Sequence, residues 1–490
     1  MALPPRARVA VLLRAWPYWP AVRHPALRRL LPGYAISAVG DGMSVVAVAW
    51  LALRLTPPSS QGLWVGAAIA AFTLPGALGV VAFGRWLRGY RGVRLAGADA
   101  ALRAVVLGVV SVLAAAHLLT PLTFVLLLGL SSLLHAWGMA GQYMLIAEIL
   151  PPQHRVAGNG LLGITNEITL IGGPALAGLL AAVSGPATVI AADAATFAVL
   201  AVSYAWAAPL TRQPGPAEAP EPAAGSPTEP NEAAIGAGPT GSTAVTPAGW
   251  RIVRANPTLA GLLALTFVFY AIYGPVEVAL PVHVSHGLHR SAALLGVFWS
   301  ANAVGAVAGS LAAPHLRNLP VWPAMIGIVA GWGLALLPIG LGAPLAVSLV
   351  AFAAGGVIFA PYPSLSVAMF QDASPPGALG SVLAVRSTLV IVSAPLGSAL
   401  GGPVVAALGA PGTLLASALT TLLLAAAAAV LAGSFGVRRV RRATSGAETL
   451  RKTAAPSSGR SDSPGATENS RAKRPRDDTS VDAPPAGRAR

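Results

Sequence analysis

Cysteine is absent from this chain of 490 residues. That excludes disulfides, thiolate metal sites and cysteine nucleophiles, and leaves the compartment open. Charge is scarce as well: only 10% of residues are Asp, Glu, Lys or Arg, against 55% hydrophobic. The mean hydropathy is +0.68. A soluble domain of this size needs far more charge, so the composition points to a polytopic membrane protein. Acids are scarcer than bases, with 17 Asp and Glu against 32 Lys and Arg, for a net charge of +15. That excess sits in the N-terminal arm, in short loops and in the tail rather than on one face. It reads as membrane topology first and attraction to anionic lipid second, with no nucleic-acid partner. A Gly-rich phosphate loop with lysine is missing, which argues against direct ATP drive. The eight histidines show no ligand spacing with acids, and no Ser/His/Asp set falls in a soluble segment. A transporter is therefore expected rather than an enzyme, with no cofactor and no metal.

What is present is a series of apolar runs of bilayer length. Residues 1–29 form a basic arm carrying Arg6, Arg8, Arg14, Arg23, Arg28 and Arg29 and no acid, which places the N-terminus in the cytoplasm. The first apolar run, from Leu31 to Leu53, is too long for the core of a cleavable signal peptide. Six helices are expected over 30–208: about 31–53, 63–83, 95–118, 122–146, a fifth after Arg155, and 187–207. Arg85, Arg88, Arg91 and Arg94 crowd the loop before the third helix and mark it as cytoplasmic. Residues 209–256 turn to Pro, Glu, Ala, Gly, Ser and Thr, the composition of a disordered cytoplasmic linker, ending in a short surface helix near Trp250. Six more helices follow over 257–434, and 435–490 is a disordered basic tail opening with Arg438, Arg439, Arg441 and Arg442. Both termini then lie on the cytoplasmic side of the cytoplasmic membrane.

The chain is organised around Glu148–Leu180. A polar elbow leads into an apolar helix with Glu167 near its middle and the cluster Gly172-Gly173-Pro174-Ala175-Leu176-Ala177-Gly178 in its outer half. Small residues at that density let another helix approach closely, and an intramembrane carboxylate calls for a partner, a proton or water. The halves echo each other. Gly66 and Gly79 share their spacing with Gly296 and Gly309, and the elbow Glu148-Ile149-Leu150-Pro151-Pro152 recurs as Asp372-Ala373-Ser374-Pro375-Pro376. The expected fold is an all-α polytopic membrane protein of twelve transmembrane helices in two pseudo-symmetric six-helix bundles, with the substrate site between them.

Several stretches resemble the major facilitator superfamily, and within it the drug, macrolide and siderophore exporter branch. They are Ser37-x-x-Gly40-Asp41 with Ala49-Trp50, Pro151-Pro152-Gln153-His154-Arg155 with Ala157-Gly158-Asn159, Gly173-Pro174-x-x-x-Gly178, Gly185-Pro186-Ala187 with Asp193, Asn256-Pro257, and Gly274-Pro275-x-Glu277. The resemblance covers about Arg28 to Ala432 without the linker. It implies the major facilitator fold and export by alternating access in exchange for protons, the glycine-proline motif of helix 5 being similar to that branch's antiporter signature. Two departures stand out: the acid usual in loop 2–3 is missing, and helix 4 lacks the family's arginine, His135 being its nearest polar residue.

Asp41, Glu167 and His135 are the candidates for proton coupling. Asn166, Gln142, Tyr143, Asn302 and Arg386 are the candidates for lining the substrate cavity. Gating or structural roles fall to Arg88, Arg91, Asp99, Arg103, Gly173, Pro174, Gly178, Asp193 and Glu277, with Asp193 and Glu277 placed nearer the outer surface. Asp99 and Arg103 stand one helical turn apart, close enough to pair. The expected partners are a small amphipathic substrate, protons and anionic lipid at the basic segments, with the protein acting as a monomer. Uptake or facilitated diffusion by the same fold, or a membrane-embedded lipid-handling enzyme, are the alternatives.

Overall fold

In hydrocarbon a chain has to satisfy its own peptide groups, and the α-helix does this within each segment. The computed structural model describes residues 18–87, 89–211, 247–312, 320–375 and 377–453, and among these it contains helices and turns but no strand. Twelve long helices follow one another: α1 Pro25–Leu55, α2 Gln61–Leu87, α3 Gly92–Ala115, α4 Pro121–Ile149, α5 Pro152–Ser184, α6 Pro186–Ala207, α7 Pro257–Val282, α8 Ala292–Ala312, α9 Val321–Gly340 and α10 Leu345–Ala373. The last two, α11 (379–408) and α12 (410–453), are separated by Gly409, whose φ of 72° is open to glycine at little cost. Pro121–Ile149 and Leu345–Ala373 are each long and apolar enough to cross a membrane. A short helix, Pro247–Ala255, precedes α7. We call the end at which α1 begins the near end and the opposite end the far end.

Two helices are continuous by hydropathy but broken in the middle. In α4 the segments Pro121–Ser132 and His135–Ile149 meet at Leu133–Leu134. There Ser131 and Ser132 donate their hydroxyls back to the carbonyls of Leu128 (2.7 Å) and Gly129 (3.2 Å), a pattern that bends helices. In α10 the break falls at Ala360, immediately before Pro361. Equivalent helices of the two halves are thus broken at similar depth.

The repeat read from the glycines is realised as contacts. Gly42 of α1 meets Gly173 of α5, and Gly274 of α7 meets Gly397 of α11. Gly79 of α2 lies on the Leu133 carbonyl at the α4 break, and Gly309 of α8 lies on the Val357 carbonyl just before the α10 break. The halves themselves meet through the remaining pair. Gly66 of α2 faces Ser398 and Gly402 of α11, while Gly296 of α8 faces Pro174 and Gly178 of α5. These inter-half contacts all lie toward the far end, since α2 and α8 start there and α5 and α11 finish there. At each of them a Cβ would come within about 3 Å of the facing backbone, so only glycine permits this approach.

The boundaries move at several places. α1 starts at Pro25, so the last residues of the basic arm, including the buried Leu27, belong to the bundle. The linker begins with a turn at Ala208–Thr211, and residues 212–246 lie outside the described residues. Beyond Gly433 the chain forms a unit of its own, helical to Thr453 where a dissolving tail was expected.

Gly296→Leu overpacks the α5–α8 contact and should cost the far-end arrangement about 1–3 kcal/mol. The native chain has no cysteine, so an Ala293→Cys reporter can be read without background. Its labelling by an impermeant maleimide should accelerate severalfold in the Gly296→Leu background. An unchanged rate would mean that this contact does not hold the halves together.

Candidate functional site

An arginine inside an apolar helix is tolerated only where it finds anions, and Arg103 finds them on two helices. It sits in the middle of α3 with only 3% of its side chain accessible. Its Nη1 donates to Asp41 Oδ1 of α1 at 2.9 Å. Its Nε lies 3.6 Å from Asp99 Oδ1, one turn earlier on α3. The Phe72 ring of α2 and the Phe197 ring of α6 flank the guanidinium, with centroids at 5.5 and 5.1 Å. His135, at the start of the second α4 segment, places Nδ1 4.0 Å from Asp99 Oδ2. Gly138 lets α4 come this close, since a Cβ there would overlap the Asp99 carboxylate.

A third carboxylate completes the cluster. Asp193 of α6 is fully buried. It accepts hydrogen bonds from Ser44 of α1 and, at 3.3 Å, from Thr196 Oγ1. It also lies within electrostatic reach of both Arg103 and Asp41. Asp193, expected nearer the outer surface, joins this cluster because Ser44 lies one turn beyond Asp41 on α1. Asp41 keeps 37% of its side chain accessible and His135 39%, so Asp41 is the carboxylate that water or a ligand can reach, while Asp99, Asp193 and Arg103 are buried.

The remaining N-half candidates are structural partners in this arrangement. Gln142 of α4 lies near Tyr204 of α6, which donates to Tyr34 of α1 at 2.8 Å. Tyr143 is partly buried against the core. Arg91 bonds the Thr211 carbonyl and lies 3.8 Å from Glu148 Oε2, whose other oxygen accepts the Gly92 N–H at 2.9 Å. Glu148 at the end of α4 thus supplies the acid missing from loop 2–3. Asn166 and Glu167 fall on α5, but their side chains lie outside the described residues, as does Arg88. Gly173, Pro174 and Gly178 are the helix-contact residues described above.

In the C-terminal half, Arg386 of α11 is 9% exposed. Its Nε donates to Ser366 Oγ at 3.3 Å, with the Phe370 ring 5.7 Å away. Tyr362 donates to Thr266 at 3.3 Å beside it. Asn302 is half-buried, and its Nδ2 donates to the Phe352 carbonyl at 3.0 Å and ties α8 to α10. Glu277 accepts from Ser398 Oγ of α11 at 2.9 Å. One turn before it, the Tyr273 ring packs against Trp299, Trp332 and Phe359 at centroid distances of 6.4, 5.6 and 6.0 Å. Charge therefore collects in one half and aromatic surface in the other. Among the described residues no group of three or more His, Asp or Glu is placed to hold a metal ion.

Sequence reasoning missed Ser44, Thr196 and Phe72, which carry no charge to announce them. Helical spacing from Asp41 and Asp193 was the signal that could have found the first two.

The profile of the Major Facilitator Superfamily matches residues 30–361. The chain is 29% identical over 386 residues to the multidrug efflux pump Tap of Mycobacterium tuberculosis, covering 76% of this chain and 85% of that protein. Among solved structures it is similar to a bacterial homologue of the lysosomal transporter Spinster, inward-facing and unoccupied, with a TM-score of 0.59, 11% identity, and 83% and 95% of the two chains covered. A bacterial homologue of the iron transporter ferroportin, inward-facing, gives a TM-score of 0.57 with 15% identity over 82% and 98%.

Arg103→Met leaves Asp41 and Asp99 without their cation and should destabilise the purified protein by about 3 kcal/mol, the low end for breaking a buried pair because Asp41 is partly accessible. Asp41→Asn in the same background should then cost less than it does alone. Thermal unfolding of the four combinations reads this out, and strictly additive losses would show that the pair carries no coupling.

Proposed function

From the premise that the chain belongs to the Major Facilitator Superfamily, we propose that it exports small amphipathic compounds, of drug, antibiotic or siderophore type, from the cytoplasm in exchange for protons. The observation that carries this reading is the cluster of Asp41, Asp99 and Asp193 around the single Arg103. Three carboxylates outnumber one guanidinium, and a low-dielectric interior does not hold the surplus negative charge without protons or a cation. Asp41 is the accessible member and therefore the port for exchange. The similarity to a multidrug efflux pump supports drug-like compounds as cargo.

The transport cycle follows from where the halves touch. Glycine contacts between α2 and α11 and between α5 and α8 close the far end, and the basic residues Arg91, Arg94, Arg251 and Arg254 lie at the near end. By the positive-inside rule the near end is cytoplasmic, as are both termini, and the membrane is the cytoplasmic one. The site between the halves then faces the cytoplasm. Rocking about the α2–α11 and α5–α8 seams turns it outward. The basic near end attracts anionic lipid, and each chain carries a complete pathway, so a monomer suffices. Glu167 remains a second coupling acid on α5.

In reconstituted vesicles, a transported hydrophobic cation should trigger proton movement. Asp41→Asn should lower that movement about 5- to 150-fold, the range of a coupling free energy of 1–3 kcal/mol. Glu167→Gln, run beside it, reports whether α5 shares the load. Substrate movement that proceeds without protons in the wild type would overturn antiport and favour a facilitator.

A further inference from the structure

Helix Pro247–Ala255 is a surface helix with a job that transport does not explain. It has no acid, and carries Arg251 and Arg254 exposed one turn apart. Val253 is buried, and Gly249 lies against the Ser381 carbonyl of α11. Asn256 closes the helix onto α7 by accepting from the Thr258 and Leu259 N–H groups at 3.0 and 3.4 Å, and donates to the Ala373 carbonyl of α10 at 3.2 Å. The helix is therefore anchored to α7, α10 and α11 at the near end, at the depth where the chain enters the bilayer. Between it and the two helices runs a groove of about 270 Å³ lined by Trp250, Val253, Arg254, Leu263, Phe267 and Leu389 among others. Its wall is hydrocarbon apart from Arg254 at the rim, and the Arg254 guanidinium is steadied over the Trp250 ring at 5.5 Å.

A groove of carbon with one guanidinium at its rim and a second, exposed, one turn back on the same helix fits one kind of molecule, with an anionic head and a hydrocarbon tail. We propose that it is a binding site for an anionic phospholipid of the near leaflet, with the phosphate at Arg251 and Arg254 and an acyl chain along Leu263, Phe267 and Leu389. The lipid bridges the helix that ends the linker to α7 and α11 of the C-terminal bundle. It thereby ties the start of that bundle to the composition of the leaflet. A water-soluble phosphate would engage the arginines but leave the groove empty, so the two parts of the site can be tested separately.

The experiment is native mass spectrometry of the full chain in mild detergent, incubated with equal amounts of dioleoyl phosphatidylglycerol and dioleoyl phosphatidylethanolamine. The wild type should retain phosphatidylglycerol in preference, and Arg251→Gln and Arg254→Gln should each lower that preference about fivefold. Ala264→Trp, at an exposed position on the groove wall, should fill the groove and reduce retention of both lipids without altering charge. No preference in the wild type, a preference indifferent to both arginines, or retention untouched by Ala264→Trp would each overturn the proposal. The readout needs no transport, so its failure is distinguishable from failure of the antiport reading.

Discussion

The arrangement of the N-terminal bundle rests on one guanidinium in hydrocarbon. Arg103 has no water to fall back on, so α1 and α3 must present carboxylates to it and α2 and α6 must present ring faces. That requirement fixes rotations as well as positions. Asp41 has to point across from α1, which turns Ser44 toward α6 and into contact with Asp193. Gly138 then follows on α4, because any side chain there would displace the Asp99 carboxylate. The polar cluster is a set of mutually dependent registers, and removing the cation leaves several helices with no reason to keep theirs.

The frame around the cluster is duplicated, but the chemistry is not. Gly42–Gly173 has its counterpart in Gly274–Gly397, and Gly79 at the α4 break has its counterpart in Gly309 beside the α10 break. Backbone contacts of this kind carry no side-chain chemistry, so they can be repeated while functional residues diverge. The N-terminal half holds three acids around an arginine. The C-terminal half holds an aromatic cluster with a single Glu277 at its edge and Arg386 bound to hydroxyls. The two halves therefore differ in chemistry while sharing the glycine contacts that hold them together.

Much of this was legible in the residues. Span lengths, the duplicated glycine spacing and the crowding of small residues at Gly173–Gly178 each follow from bilayer thickness or close helix approach, and both are local properties. Asp99 and Arg103 were visible as a pair because they share a helix. The pairing of Arg103 with Asp41 was not, because it depends on how two helices are rotated, which hydropathy does not encode when apolar residues surround every helix. The same blindness hid Ser44 as the neighbour of Asp193 and the Phe352 carbonyl as the acceptor of the Asn302 amide. The break in α4 was hidden for another reason: serines in an apolar helix read as harmless until their hydroxyls are seen bonding back to the chain.

The uneven exposure inside the cluster bears on how a conformational change can be coupled to a proton. Arg103 is sealed and Asp193 is buried, while Asp41 is partly open. Of the carboxylates around Arg103, Asp41 is thus the one that solvent reaches. Its bond to Arg103 lies wholly within the N-terminal bundle. Under the proposed cycle, a motion of the bundles that closed off this solvent would change the free energy of holding its charge, although α1 and α3 need not move against each other. A ligand state that binds one arrangement better is the thermodynamic requirement for coupling. An ion pair held within one bundle and reached by water on the Asp41 side would meet that requirement without any rearrangement of the pair itself.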